Sequence, residues 1–426
     1  MTAVAETVVS DEQRQVTVRS WKTPIIFAVF TLLFALLPIA APREGHSTFR
    51  LVRSNAAAIQ VPDLVLPSNA TAWVSVVLLA AATVLAAVWT RAGKRIPLWL
   101  ITVYVIVLLV GFLTWASAGA TLPMIGLLGG ALTLATPLIF GALGGVIGER
   151  VGVVNIAIEA QLLAGAFTAA LVGTMTGTPW AGLIAAMIAG LLVGLVLAVF
   201  AITYYVSQII VGVVLNVLVI GLTTFFFSTV MSDDPSKYNS PTVFPALPIP
   251  LLSEIPVIGP VFFRQTIITY FMYVVVAVVA YGLYRTRWGL RLRAVGEHPQ
   301  AADTVGIKVA ATRYWNVMLA GAIAGMGGAF YTLVSNPQFG REMTGGAGFI
   351  ALAAVIFGKW DPIRATLAAL LFGFATNLQG IFSVIGSPVP SQFMLMLPYV
   401  VTLFAVAGLV GRSRPPAASG EPYIKG

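Results

Sequence analysis

Long apolar runs, separated by short charged or proline-containing stretches, occupy most of the chain. Twelve can be delimited, at about 21–41, 72–90, 97–117, 124–147, 156–176, 180–206, 209–231, 266–284, 313–334, 344–358, 364–385 and 391–411. An apolar run of about 18 residues or more crosses ~30 Å of hydrocarbon as a helix. A helix also satisfies its own backbone where water is absent. None of the runs alternates in polarity with period two, as a strand of a membrane barrel would. The pattern predicts an all-α, polytopic helical membrane protein with about 11–12 transmembrane segments. The tenth run has a short apolar core opened by Gly345, Gly346 and Gly348. It is the weakest of the twelve and reads either as a full span or as a broken or re-entrant helix, the latter tolerated only inside the protein.

Composition agrees, with 58% hydrophobic residues, 9% charged residues and a mean hydropathy of +0.94. The net charge of +9 could suggest a nucleic-acid partner, but the charges sit in short loops and tails. That placement fits the positive-inside rule, so no nucleic acid is expected. With the loop bearing Arg285, Arg287, Arg291, Arg293, Lys308 and Arg313 inside, parity also places inside Arg14, Arg19 and Lys22, then Arg91, Lys94 and Arg95, then Lys359 and Arg364, and last Arg412 and Arg414. Both termini are then cytoplasmic and the protein multi-pass in the plasma membrane. Arg43, Arg50 and Arg53 break the rule in an outside loop. The run from Pro24 to Ala41 exceeds a usual signal-peptide core and reads as a retained first span. Without cysteine there is no disulfide or thiolate chemistry, and with only His46 and His298 a histidine metal site is not expected.

Three divisions follow: a three-span extension over 1–120, a core over 121–412 and a cytoplasmic tail over 413–426. The extension shows no polar intramembrane residue or distinctive motif. The core carries small residues four apart, at Gly126/Gly130, Gly141/Gly145, Gly190/Gly194 and Gly321/Gly325, where helices can approach closely. Neither Gly93-Lys94 nor Gly358-Lys359 is followed by Ser or Thr or preceded by the required glycine, so no phosphate-binding loop is present. No metalloprotease, nucleophile-elbow or paired-carboxylate arrangement stands out either.

Several polar side chains fall inside the apolar runs. Glu149 and Arg150 are expected to neutralise each other or to face the loop. Glu159 is expensive in a membrane, so it either makes a stabilising contact, for example with Arg150, or acts as a gate. Asn155, Glu159, Gln161, Gln208, Asn216 and Asn377 are the candidate substrate-pathway residues. Amides can bond sugar hydroxyls or base edges, and equally can join helices. They suit an uncharged polar solute, since no Lys or Arg is placed deep in a span.

The densest charges surround RLRAVGEHPQAADTVGIKVAATRYW, residues 291–315. Pro299 suits a first helical turn and Gly306 a helix end, which predicts a short cytoplasmic helix of about two turns. Alone in water such a helix is marginal, so its flanking spans or a partner must hold it. The wording RAVGEHPQAADTVGIKV closely resembles the cytoplasmic signature of permease subunits in binding-protein-dependent ABC importers, in the branch serving nucleosides, simple sugars and branched-chain amino acids. GERVGVVNIAIEAQLLAGAF (148–167) and GGAGFIALAAVIFGKWDPIRATLAALLFGF (345–374) are also similar to that family, the latter to its nucleoside and simple-sugar subgroup. The three matches, in order, cover roughly 122–411, and the three-span extension departs from shorter versions of the subunit.

The resemblance implies a coupling helix that docks into a separate ATPase subunit. It would comprise Ala294, Val295, Gly296, Glu297, His298, Pro299, Gln300, Ala301, Ala302, Asp303 and Gly306. Glu297 and Asp303 would meet partner cations, Ala301 and Ala302 would keep the docking face small, and Gly296 and Pro299 would fix the entry angle. It further implies a second permease subunit, alike or different, an extracellular substrate-binding protein and surrounding membrane lipid. No cofactor would be bound by this chain, ATP being used by the partner. The solute would be a nucleoside or, second, a simple sugar. The alternative from another class is an ion-coupled secondary transporter for a small polar solute, with Glu159 as the coupling residue.

Overall fold

Helix starts along the core are written in proline and in capping side chains. Pro179, Pro299 and Pro362 each occupy a first helical turn, where a missing N–H costs nothing. The Asp361 carboxylate accepts from Arg364 N, and Thr286 Oγ1 accepts from Gly289 N. The computed structural model describes residues 20–52, 61–386, 396 and 414–425. The twelfth apolar run, apart from Met396, and Arg14, Arg19, Arg53 and Arg412 lie outside the described residues.

The helices are α1 (Lys22–Ala40), α2 (Ser68–Arg91), α3 (Leu98–Ala116), α4 (Met124–Arg150), α5 (Ile158–Thr176), α6 (Pro179–Ala198) and α7 (Gln208–Phe226). Then come α8 (Pro235–Tyr238), α9 (Ile258–Phe262), α10 (Ile267–Arg285), α11 (Arg287–Glu297), α12 (Pro299–Thr304), α13 (Val309–Phe330), α14 (Ala347–Phe357) and α15 (Pro362–Val384). Wider π-helical turns extend α6 to Thr203, α7 to Met231 and α13 to Ser335. Strands are brief: β1 (His46–Arg50), β2 (Leu64–Pro67), β3 (Thr121–Pro123), β4 (Ala246–Pro248) and β5 (Arg264–Thr266). β1 pairs parallel with β3, Thr48 opposite Thr121, and β4 pairs antiparallel with β5. Among the described residues ten helices are long and apolar enough to cross a membrane, so the protein is a polytopic all-α membrane protein. The tenth apolar run is the exception. At 11 residues α14 is ~16 Å long, about half the hydrocarbon thickness.

The chain forms two compact units. One holds the described residues up to Ser47 together with Leu66–Gly119, and so contains α1, α2 and α3. Its interior is less uniformly apolar than the sequence suggests. Tyr104 stacks on Phe27 with ring centroids 3.7 Å apart and donates to the Phe27 carbonyl at 2.7 Å. Thr31 lies 3.0 Å from the same phenol oxygen.

The other unit holds the described residues of Thr48–Val65 and those from Ala120 onward. α4 and α13 run through its middle, buried nearly all round, with α13 packed on α4, α5 and α6, and α15 packed on α4. Backbone contact through small residues makes this possible. A Cβ at Gly321 would lie 2.2 Å from the Gly190 carbonyl oxygen, and one at Gly325 2.2 Å from that of Ala186. Gly141 and Gly145 let Ala351 and Val355 of α14 settle against α4 in the same way.

Gly321→Leu is therefore expected to separate α6 from α13 and destabilise the fold by about 3 kcal/mol or more, the upper range for overpacking. Gly129→Ala, where an added Cβ meets nothing within 4 Å, is expected to stay within about 0.5 kcal/mol. Thermal unfolding of both variants in the same detergent checks the contrast.

Candidate functional site

Two features of the larger unit bear on function: a polar cluster inside it, and the end at which Arg150, Arg285, Lys308 and Arg364 gather, called the basic end below. The interior cluster begins where α4 stops. After Arg150 the chain turns back at Gly152, whose φ of +91° favours glycine. It then runs through 151–157 without regular structure while almost wholly buried. Irregular backbone at such depth needs internal partners, and the polar side chains of the neighbouring helices supply them. Gln208 Oε1 accepts from Val154 N at 2.7 Å. Asn216 accepts from Ala160 N at 2.9 Å and donates to the Ile156 carbonyl at 3.0 Å. Asn155 and Gln161 bond each other through both amides, at 3.0 and 3.3 Å.

Glu159, in the first turn of α5, is 5% exposed and has no Arg150 contact. Its carboxylate accepts from Thr344 Oγ1 at 2.6 Å, Gly346 N at 3.0 Å and Gly348 N at 2.6 Å. It caps α14, placing negative charge where free N–H groups and the helix dipole favour it. A Cβ at Gly348 would sit 2.3 Å from Glu159 N, so only glycine lets the half-helix come this close. Asn377 joins α15 to α4, donating to the carbonyls of Gly126 and Leu127 at 3.0 and 2.7 Å. Each of the six candidate pathway residues thus has partners within the chain.

Glu149 and Arg150 do not pair with each other. Glu149 accepts from the Trp360 indole N–H, and Arg150 donates to the carbonyls of Trp360 (2.9 Å) and Lys359 (3.4 Å). Both thus grip the turn between α14 and α15, where Lys359 and Trp360 adopt left-handed φ values of 54° and 55°. Such backbone persists only where its surroundings over-determine it. Tyr284 adds a bond from α10 to Asp361 at 2.8 Å.

The predicted short helix is present as α12, with Pro299 in its first turn and Gly306 at φ +84° beyond its end. The sequence reading missed α11 before it, although Leu292, Val295 and Gly296 at helical spacing were its signal. α11 folds back on α10 because Gly289 lies against Gly282 and Leu283, and its far end rests on α4, where a Cβ at Gly296 would be 2.0 Å from the Arg150 carbonyl oxygen. Among the candidate coupling residues, Val295, Gly296, Pro299 and Ala302 are buried and Ala294 and Asp303 partly so. Glu297, His298, Gln300, Ala301 and Gly306 are exposed, beside Val305 at 75%. Ala302 is therefore no part of an outward face, whereas Ala301 is.

The carboxylates assigned to a partner already contact the chain's own tail. Glu297 accepts from Ala417 N at 3.2 Å, and Asp303 lies 4.0 Å from Lys425 Nζ. Tyr423, whose titration is pushed up by desolvation and by its hydrogen bond to Asp303, completes that contact. Ala418 N donates to Gly296 O at 2.9 Å and Gly420 N to Gly152 O at 3.3 Å. Arg313, expected in a polar loop, is 1% exposed within α13.

Such an arrangement defines a helical membrane protein built on a capped half-helix, with two short helices presented at its basic end. Residues 127–406 match the family described as branched-chain amino acid transport system, permease component, and the chain belongs to that family. It is 42% identical over 308 residues to the guanosine ABC transporter permease protein NupQ of Bacillus subtilis, covering 69% of this chain and 95% of that one. It is 41% identical over 309 residues to the nucleoside ABC transporter permease protein NupC of Lactococcus lactis, with the same coverage. A putative glucose ABC transporter permease of Haloferax volcanii, TsgC13, is 38% identical over 258 residues, 60% of this chain and 77% of that one. No solved structure matches the chain.

Glu159→Ala should leave three donors unpaired, two of them buried, and uncap α14, lowering stability by about 3 kcal/mol, whereas Glu159→Gln should recover part of this loss. Thermal unfolding of the two variants tests the cap. A gating role without a structural one would instead leave both stabilities unchanged.

Proposed function

We propose that the chain is the permease subunit of a nucleoside ABC importer, with its basic end in the cytoplasm. The observation that carries this reading is the presentation of α11 and α12 at that end, with Gln300, Ala301, Thr304 and Val305 uncovered beside buried anchors. The exposed side is small and weakly charged, as a surface that seats in a partner's cleft must be. A separate ATPase subunit would receive it and consume ATP. A second permease, identical or homologous, would complete the pathway, and an extracellular binding protein would deliver solute. The names of NupQ and NupC support a nucleoside, and that of TsgC13 keeps a simple sugar as the second reading.

Motion would pass from α11 and α12 by one contact each. Gly296 bears on the end of α4, and Ala302 is buried against the bundle beneath α12. α4 in turn holds the α14–α15 turn through Glu149 and Arg150. The polar residues Asn155, Glu159, Gln161, Gln208, Asn216 and Asn377 shape the pathway by fixing 151–157, α14 and α15, with the solute meeting the surfaces they position. Against the ion-coupled alternative, the Glu159 carboxylate already accepts three hydrogen bonds.

The test is co-purification from native membranes in mild detergent, followed by uptake assays with guanosine and glucose as competitors. Ala301→Glu should cut recovery of the ATPase at least about tenfold, a loss of ~1.4 kcal/mol or more, without changing the chain's own yield. Ala302→Glu should lower the yield itself by burying a charge. Uptake by the chain alone without ATP would sink the proposal.

A further inference from the structure

Among the described residues, Arg313 has no counter-ion in a place where one is needed. It lies in the second turn of α13 and is 1% exposed. Its Nη1 donates to the Glu421 carbonyl at 3.0 Å. Its Nε and Nη2 have no hydrogen-bond partner, and among the described residues no carboxylate pairs with it. A guanidinium stays charged at any physiological pH, and a buried charge without a partner is strongly unfavourable. Among the described residues, nothing supplies the neutralising charge.

A cavity of about 360 Å³ at the same place could hold it. Its lining includes Arg313, Lys308, Lys425 and the first turn of α13, which has no side-chain cap. Free N–H groups at a helix start favour anions. Against these three cations stands one carboxylate, Asp303, which lies 4.0 Å from the exposed Lys425. Tyr205 and Tyr423 complete the polar side. Ile202 brings in the end of α6, a membrane-spanning helix that carries exposed Tyr204 and Tyr205 just beyond it. Tyrosines of this kind mark the level of lipid headgroups.

We propose that this cavity binds a phosphate-bearing ligand, either an anionic phospholipid headgroup or a soluble phosphate. The ligand supplies the countercharge to Arg313. It also ties the 414–425 tail and α12 to the start of α13, because Lys425, Tyr423 and Asp303 share the same walls. The site does not depend on what the protein transports.

The full chain would be reconstituted in phosphatidylcholine nanodiscs with and without phosphatidylglycerol. Separately it would be titrated in detergent with inorganic phosphate at fixed ionic strength, reading thermal unfolding in each case. Phosphatidylglycerol or phosphate should raise the unfolding temperature of the wild type. Lys308→Gln with Lys425→Gln should weaken that response about thirtyfold in ligand concentration, taking one surface-lysine increment for each. Arg91→Gln with Lys94→Gln, a control for general surface charge, should leave it intact. Arg313→Met, which removes the buried charge, should make the unfolding temperature insensitive to either ligand. A response to phosphatidylglycerol alone identifies a headgroup, and a response to inorganic phosphate identifies a soluble anion. Equal loss in the control pair, or no anion response in the wild type, overturns the site.

Discussion

The carboxylate of Glu159 on the start of α14 is the contact on which the core's arrangement turns. A helix of 11 residues cannot cross a bilayer, so its first N–H groups must end inside the protein. Water is not available there to satisfy them. A carboxylate supplies strong acceptors and a charge of the sign the helix start favours. Because Glu159 begins α5, the cap fixes the depth of α14 relative to α5. Glu149 and Arg150 then fix the other end of α14 through Trp360 and Lys359. The half-helix is thus held at both termini by residues ten apart in one stretch of chain. That stretch, 148–167, is among the segments by which the sequence resembles its family.

The same logic explains the buried amides. Read singly along apolar runs, Gln208 and Asn216 are polar groups in a membrane span, and solute recognition is a reasonable reading. Their partners are backbone atoms of 151–157 and the start of α5, a segment that looks apolar and ordinary in sequence. What the sequence hides is that this segment is irregular and buried. The side chains of Val154, Ile156 and Ala160 show nothing of the backbone donors and acceptors that need side-chain partners there, and only the fold reveals that need.

Much of the architecture was legible because it depends on local rules. Apolar length gave the spans, glycine spacing at Gly190/Gly194 and Gly321/Gly325 gave the close helix pair, and Pro299 and Gly306 gave α12 its limits. The weakness of the tenth run was readable from Gly345, Gly346 and Gly348. What stayed illegible depends on contacts distant in sequence. Charge pairing by proximity suggested Glu149 with Arg150, but both reach over two hundred residues onward to one turn. Arg313 looks like a topological charge beside a loop until the tail residue Glu421 is seen to meet it. Ala301 and Ala302 are neighbours with the same side chain, and only the rotation of α12 on the bundle assigns one outward and the other inward.

That rotation bears on how a helix as short as α12 could transmit force under the proposed coupling. Six residues in water do not hold a helix, so α12 must be stiffened from outside. Pro299 and Ala302 seat it on the bundle, and Gly296 sets α11 against backbone rather than against side chains, a contact with little give. The tail adds bonds at Gly296, Glu297 and Asp303, the residues that flank and close α12. A displacement of α12 would therefore strain α4, α13 and the tail together. Exposed Ala301 lies on the one side of α12 without such a tie, so a partner seated there would push against a helix already braced from behind.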